Sequence, residues 1–87
     1  MKMQVFSVFD KKAGAFSNPH FMPTKGQMLR AFGDEVGRGD SIVGKHPEDF
    51  SLFKLADWDS DSGKFESLPE PEFLSNAVDF VTEKARA

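Results

Sequence analysis

The spacing of three aspartates suggests calcium binding. They occupy alternate positions, Asp57, Asp59 and Asp61. A calcium-binding loop presents oxygen ligands from its first, third and fifth positions, so these aspartates fit the start of such a loop. The match then fails. The sixth position is Ser62 where the loop needs glycine, and the twelfth is Leu68 where it needs a bidentate glutamate. We therefore expect a solvated turn here and no metal site.

The two histidines, His20 and His46, are the other candidates for metal or acid–base chemistry. Because the chain has no cysteine, a zinc site would have to recruit carboxylates. A catalytic pair of His46 and Asp49 is conceivable, but His46-Pro47-Glu48-Asp49 is typical of a capped turn. The sequence has no nucleophile-elbow serine and no phosphate-binding glycine loop. We therefore predict a non-enzymatic protein without a cofactor.

Basic and aromatic residues fit a third chemistry, the binding of single-stranded DNA. Proteins that bind single strands combine a positive track with aromatic rings, on which each stacked base contributes ~1–3 kcal/mol. The N-terminus of a helix adds backbone donors for a phosphate. We predict a site formed by Lys2, Lys11, Lys12, Lys25, Arg30 and Phe16, with Phe21 or Phe6 as further platforms. The alternative is that these phenylalanines are core residues and that the lysines only keep the first hairpin soluble.

The charge of the chain is unevenly distributed. Residues 1–30 carry five basic side chains against Asp10 alone, whereas residues 31–87 carry six against thirteen acidic ones, giving a net charge of −3. The acidic majority argues against nonspecific DNA binding by bulk electrostatics, but a local basic face can still contact phosphates. The sequence has no signal-peptide pattern and no apolar run near the ~20 residues of a membrane span, so we expect neither export nor membrane insertion.

The first half of the chain is expected to form a hairpin and a helix. In a strand predicted at 3–9, apolar residues occur at both odd and even positions and therefore on both faces. This favours a central strand or one covered on both sides. A turn at 10–14 leads to a return strand at 15–22, which Pro19 should place at an edge or break. The main helix is predicted at 25–37, because its apolar residues recur at spacings of three and four. These residues are Met28, Leu29, Phe32 and Val36.

Both ends of this helix are marked in the sequence. Thr24 and Gln27 have the spacing of a capping box, and Pro23 fixes the entry of the chain. Gly37 and Gly39 supply a stop. A loop at 39–45 and a tight turn at 46–49 should follow.

The second half is expected to form another hairpin and a helix. Strict alternation along a strand at 50–58 places Phe50, Leu52 and Trp58 on one face and Phe53 and Leu55 on the other. A hairpin loop at 59–63 joins this strand to a short partner at 64–68.

Two prolines, Pro69 and Pro71, should end that partner strand, after which helical spacing returns. The residues with this spacing are Phe73, Leu74, Ala77, Val78 and Val81. Ser75 is a candidate cap, and the alternative is a first turn that begins at Pro71. The fold class is therefore α+β, a small antiparallel sheet of about four strands packed with one main helix and a shorter C-terminal helix, in the order β-β-α-β-β-α. We expect one domain over 1–87, with a tail at 82–87 that frays, and self-association into a homodimer that covers leftover apolar surface.

Three stretches of the chain resemble the small nonstructural protein of gokushovirus-type microviruses, which are single-stranded DNA phages. They are MQVFSVFDKKAGAF at 3–16, FMPTKGQMLRAF at 21–32 and KHPEDFSLFKLADWDSDSGKFESL at 45–68. The most specific pieces run from Lys45 to Phe50 with Leu52-Phe53, and from Phe21-Met22 through Thr24-Lys25-Gly26 to Arg30-Ala31-Phe32.

This resemblance implies a phage protein expressed in the host cytoplasm and absent from, or minor in, the virion. It implies a role in genome replication, in the switch to single-stranded DNA synthesis and in packaging, and it carries over no catalytic motif. We therefore predict an accessory protein that binds single-stranded DNA. The alternative is an adaptor or inhibitor without DNA affinity, which binds a phage protein such as the replication initiator, or a host protein.

Overall fold

The chain folds into an antiparallel sheet with helices, described in a computed structural model for residues 1–86, with side chains for residues 1–81. The strands are β1 (Lys2–Asp10), β2 (Ala15–Phe16), β3 (His20–Met22), β4 (Phe50–Asp59) and β5 (Phe65–Asn76). The helices are α1 (Lys25–Val36), α2 (Ile42–Lys45) and α3 (Ala77–Arg86), with a 3-10 turn at Pro47–Asp49. This confirms the predicted α+β fold.

Strand β1 lies at the centre of the sheet, between β4 on one side and both β2 and β3 on the other. Phe16 of β2 pairs near the end of β1, and Phe21 of β3 pairs near its middle. The return strand is interrupted between β2 and β3, at residues 17–19, where Pro19 has no N–H to donate. The predicted return strand is therefore confirmed as an edge strand that breaks near its middle.

The helices cover one face of the sheet and bury the apolar core against it. Phe6 of β1 and Leu52 of β4 are fully buried there, under the apolar stripe of α1. The core consists of Phe6, Val8, Met28, Phe32, Val36, Val43, Phe50, Leu52 and Ala77. Because each large apolar side chain contributes roughly 1.5–3 kcal/mol on burial, this layer is the main source of stability.

The predicted start of α1 is confirmed. The Oγ1 of Thr24 accepts a hydrogen bond from the backbone N–H of Gln27 at 3.1 Å, and the two side chains also meet at 3.2 Å. The helix ends at Val36, one residue before the predicted end, and Gly37 donates its N–H to the carbonyl of Gly33 at 3.0 Å.

Strand β5 is longer than predicted, because it continues past Pro69 and Pro71 to Asn76. The four residues 68–71 leave the ladder opposite the single residue Leu55 of β4, and pairing then resumes. An edge strand tolerates proline in this way, because the missing N–H faces no partner. The prediction that the prolines end the strand was wrong.

A start of the C-terminal helix at Pro71 is wrong for the same reason, whereas Ser75, the alternative cap, lies two residues before the first helical residue. Phe73 and Leu74, which were assigned to helical spacing, belong to β5, and α3 begins at Ala77. The tail at 82–87, which we expect to fray, lies outside the residues whose side chains are described, so this stays a prediction.

A bulge in β4 reverses the face predicted for Trp58. Consecutive residues of β1 pair with Lys54 and Ala56, so Leu55 is an extra residue and the alternation of side chains shifts by one. Trp58 therefore lies on the same face as Phe53, whereas strict alternation predicted opposite faces.

The loop predicted at 39–45 contains a short helix, α2. Ser41 caps this helix by accepting a hydrogen bond from the N–H of Gly44 at 2.9 Å, and Val43 inserts into the core. The turn predicted at 46–49 is confirmed as the 3-10 turn. Across residues 1–86, none of the helices has the length and apolar character needed to cross a membrane.

Candidate nucleic-acid interface

The two faces of the sheet differ sharply in chemistry. We call the face opposite the helices the open face. Its paired positions are Met3, Val5, Ser7, Phe9, Phe16, Phe21, Ser51, Phe53, Ala56, Trp58, Phe65, Ser67, Phe73 and Asn76. None of these described positions is charged. The charged residues of the ladder all pair on the helix side, and they are Lys2, Asp10, Lys54, Asp57, Asp59, Glu66 and Glu72.

Four rings from four strands form what we call the first ring cluster, which consists of Phe9, Phe16, Phe53 and Phe73. The centroids of Phe9 and Phe16 are 5.0 Å apart, and both rings contact Phe53, at 6.4 and 5.5 Å. The ring of Phe73, on β5, lies 5.8 Å from that of Phe53. All four contacts are edge to face, the arrangement that aromatic quadrupoles favour.

Three further rings form the second ring cluster, which consists of Phe21, Trp58 and Phe65. Phe21 lies 5.4 Å from Trp58 and 6.1 Å from Phe65, both edge to face. Trp58 and Phe65, which pair directly across β4 and β5, are tilted at 6.2 Å.

The rings of both clusters remain accessible to solvent although they contact one another. Phe16 and Phe21 are each 40% exposed, Phe73 is 53% exposed and Phe65 is 57% exposed. No described helix covers this side of the sheet, since all three contribute to or contact the core on the other side. An exposed apolar surface of this kind is typical of a binding site.

Small buried residues form the floor beneath the rings. Val5, Ser7, Ser51 and Ala56 are each at most 5% exposed. The hydroxyl of Ser7 donates to the carbonyl of Ser17 at 2.7 Å, and that of Ser51 donates to Asn76 Oδ1 at 2.7 Å. Both buried hydroxyls are therefore satisfied, so the floor is stable without charge.

The predicted basic residues do not form one track. Lys2 lies 3.6 Å from Glu66, and Lys25 lies 2.8 Å from Glu72, both on the helix side of the sheet. Arg30 is exposed on α1 midway between the buried Met28 and Phe32, so it points away from the sheet. Lys25 and Arg30 are thus separated from the exposed rings, whereas Lys2 lines a pocket together with Trp58 and Phe65 of the second ring cluster.

Lys11 and Lys12 are placed differently. They form the turn after β1, directly beyond Phe9 and before Phe16, and so adjoin the first ring cluster. Asp10 caps the turn by accepting from the N–H of Lys12 at 2.9 Å. Neither lysine side chain makes an ion pair within residues 1–81, which leaves both ammonium groups available to a phosphate.

The phenylalanines predicted to stack with bases also separate into residues on the open face and a residue in the core. Phe16 and Phe21 lie on the open face, whereas Phe6 is a core residue. Sequence reasoning did not assign Phe9, Phe53, Phe73, Trp58 or Phe65 to this surface. The alternation of Phe9 and Phe53 was a usable signal, but the bulge hid Trp58 and the extension of β5 hid Phe73.

The three aspartates of the calcium-like pattern do not converge. Asp57 pairs with Lys54 at 3.1 Å, whereas Asp59 and Asp61 face the N-terminal ammonium at 3.6 and 2.8 Å. The backbone N–H of Asp61, the terminal ammonium and Lys2 together hold the pKa of Asp59 below its ordinary value. Gly63, at φ 75°, closes this turn as the predicted hairpin loop.

His46, Glu48 and Asp49 come together on the 3-10 turn, with ligand atoms within 4.8 Å of one another. Their side chains are exposed or half-buried. His20 lies elsewhere, at the mouth of an apolar cavity of about 410 Å³ between α1 and the broken edge strand. Ile42, which is 63% exposed, lies at the rim of this cavity.

Residues 3–80 match the family model described as Phage ORF5 protein. This match spans strands β2 to β5, helices α1 and α2, and all of β1 except its first residue, Lys2. Searches of curated proteins and of solved structures gave no match.

Proposed function

This chain belongs to the phage ORF5 protein family, and from that premise we propose that it is a non-enzymatic accessory protein that binds single-stranded DNA. The observation that carries the proposal is the open face, an uncharged surface on which seven aromatic side chains lie together. Rings on an antiparallel sheet are a recurrent platform for single-stranded nucleic acids, because unpaired bases can stack on them.

The exposure of the rings supports stacking. Phe16, Phe21, Phe65 and Phe73 retain between 40 and 57% of their accessible surface, so a base has ring surface to cover. A duplex keeps its bases stacked within its own helix, so the same surface discriminates against double-stranded DNA.

The distribution of charge supports an anionic ligand despite the net charge of −3. At the first ring cluster the ladder places Asp10 and Glu72 on the helix side, so a phosphate backbone over these rings is spared close like-charge contacts. Lys11 and Lys12 lie at the end of the first ring cluster and supply positive charge there.

The place of this activity follows from the resemblance to gokushovirus-type microviruses. We assign the protein to the host cytoplasm and to genome synthesis or packaging, the steps in which single strands of phage DNA are exposed. The three stretches that carry this resemblance contribute every ring of both clusters except Phe73.

A second candidate function is an adaptor or inhibitor that binds a phage protein, such as the replication initiator, or a host protein. The apolar cavity with Ile42 at its rim favours this candidate, because a cavity of this size accepts an apolar side chain of a partner. The predicted homodimer remains a prediction, and sedimentation velocity over a range of concentrations tests it.

Fluorescence-anisotropy titration against labelled single- and double-stranded oligonucleotides tests the proposed function. We expect binding at micromolar concentrations or tighter, stronger for single strands. A Phe73→Ala variant should bind more weakly, whereas an Ile42→Ala variant, which also removes an exposed apolar side chain but from the helix side, should bind like the wild type. Absence of binding at low salt would overturn the proposal and favour the adaptor.

A further inference from the structure

We infer that the open face contains two separate base-stacking subsites, one on each ring cluster, which are filled by bases that are not neighbours in the strand. This inference rests on the proposed function and deepens it, because it specifies how a single strand lies on the sheet and how long it must be.

The spacing of the clusters comes from the register of β1. Along β1 the first ring cluster occupies the positions of Phe9 and Ser7, which pair with Phe16 and Phe53, and the second occupies those of Val5 and Met3, which pair with Phe21 and Trp58. The centres of the two clusters are therefore four residues apart, which at roughly 3.3 Å per residue is about 13 Å.

Buried small residues separate the two clusters. Along β4, Ala56 lies between Phe53 of the first cluster and Trp58 of the second, and Ala56 and its partner Val5, which are 5% and 4% exposed, carry no ring. Within residues 1–81 each ring contact on the open face joins members of the same cluster. A base therefore finds ring surface in two groups whose rings do not contact each other.

This spacing sets the length of DNA that engages both subsites. Stacked nucleotides rise by about 3.4 Å each, so ~13 Å corresponds to about four steps. A dinucleotide therefore reaches one subsite at a time, whereas a hexanucleotide spans both. Once the first base has stacked, the second stacks at high effective concentration, so the longer strand gains affinity without any new kind of contact.

The two subsites differ in their charge. Lys11 and Lys12 adjoin the first ring cluster. The second lies toward the other end of β1, beside the hairpin loop that carries Asp59 and Asp61. Lys2 and Lys64 also line a pocket with Trp58 and Phe65 of the second cluster, but Asp57, Asp59 and Glu66 line it too and offset their charge. The first subsite is therefore expected to carry most of the salt dependence of binding.

Two double variants and two ligand lengths test this inference. Phe16→Ala with Phe73→Ala truncates the exposed rings of the first cluster, and Phe21→Ala with Phe65→Ala truncates those of the second. Binding of the hexanucleotide dT6 is measured by anisotropy, and that of the dinucleotide dT2 by NMR titration. Circular dichroism establishes that each variant is folded, which the exposure of all four rings leads us to expect.

For dT6, each double variant should lose affinity by about 5- to 150-fold, the equivalent of one stacked base. For dT2, each should lose only about 2-fold, because the other subsite still accepts the ligand. The salt dependence should fall in the first variant and persist in the second.

Two results separate failure of the inference from failure of the function. If the wild type binds dT6 but both variants lose the same factor with dT2 as with dT6, the face is one continuous site and the two-subsite inference is wrong. If the wild type binds neither ligand, the proposed function is wrong as well.

Discussion

The rings of Phe16 and Phe53 meet edge to face with 5.5 Å between their centroids, although their strands β2 and β4 do not pair with each other. They meet across β1, where Ser7, the partner of Phe53 in the ladder, is fully buried. A small residue at this position lets two rings close over the central strand. The contact makes the first ring cluster a continuous surface rather than a set of isolated side chains.

The hydroxyl of Ser7 is expected to contribute to stability beneath this contact. Replacing Ser7 by alanine leaves the carbonyl of Ser17, which it reaches at 2.7 Å, without this donor. We expect a loss of about 0.5–1.5 kcal/mol in the free energy of unfolding, measured by urea denaturation. Ser60→Ala, which removes an exposed hydroxyl bonded to the carbonyl of Met1, is the control and should cost less. Equal losses in the two variants would contradict the role of burial.

Charge reversal at the turn after β1 is expected to weaken DNA binding. Lys11→Glu with Lys12→Glu replaces two unpaired cations beside the first ring cluster, and each phosphate contact on a single strand contributes about −0.7 to the slope of log K against log salt. We expect lower affinity and a slope smaller in magnitude by about 1.4, with the fold intact.

Arg30→Glu is the control for this variant, because Arg30 is also exposed but lies on the outer side of α1. Anisotropy titrations at four or more salt concentrations give the slopes. A folded double variant with unchanged affinity would remove Lys11 and Lys12 from the site. A large effect of Arg30→Glu would move the contact to the helices.

Acid is expected to destabilise the fold partly through Asp59. Its pKa lies below the ordinary value of about 3.8, chiefly because it accepts a hydrogen bond from the N–H of Asp61 at 2.9 Å. A lowered pKa means that the ionised form stabilises the folded state above the unfolded pKa, and that this contribution is lost as the pH falls through the folded pKa.

Asp59→Asn should therefore reduce the difference in stability between pH 7 and a pH below ~4, as measured by urea midpoints. Asp34→Asn, on an exposed position of α1, is the control. If the two variants show the same pH dependence as the wild type, Asp59 does not contribute to acid sensitivity.

The sequence predicted the central elements well where one local signal determined the structure. Thr24 and Gln27 marked the start of α1, Gly63 closed the hairpin loop, and Pro19 broke the edge strand as expected. In each case the backbone requirement is local, namely an orphan N–H, a positive φ or a missing donor.

The departures arose where pairing between strands decided the structure. Pro69 and Pro71 read as a stop, but β5 lies at the edge of the sheet and resumes pairing beyond a bulge. Likewise Trp58 changed face because Leu55 is an extra residue in β4. Neither bulge has a signal in the sequence of a single strand, since a bulge is defined by the register with its partner.

The same limit applies to the candidate site. Phe16, Lys11 and Lys12 were placed near each other by sequence alone, because a short hairpin brings them together. Phe53, Phe65 and Phe73 come from distant parts of the chain, and only the register of the sheet shows that they share a face with Phe16. Lys25 and Arg30 are close to the hairpin in sequence but lie on the helix side.

The packing of α3 against α1 depends on the absence of a side chain at Gly33. A Cβ at this position would lie 2.9 Å from Cδ1 and 3.1 Å from Cε1 of Phe80, and the ring of Phe80 also meets Phe32 edge to face at 5.7 Å. Because the ring of Phe80 also packs against Phe32, it cannot move away from Gly33 without losing that contact. We expect Gly33→Ala to lower the free energy of unfolding by about 1–3 kcal/mol, although alanine has the higher helix propensity.

Gly26→Ala provides the opposite control on the same helix. A Cβ there meets only Oγ1 of Thr24, at the ordinary contact distance of 3.9 Å, so the gain in helix propensity is not offset. We expect this variant to raise the free energy of unfolding by up to about 1 kcal/mol. The pair separates packing from propensity, because both substitutions add one methyl group to α1. If Gly33→Ala were as stable as Gly26→Ala, α3 would not pack against α1 through Phe80, and the helix side of the sheet would be more loosely covered than the structure shows.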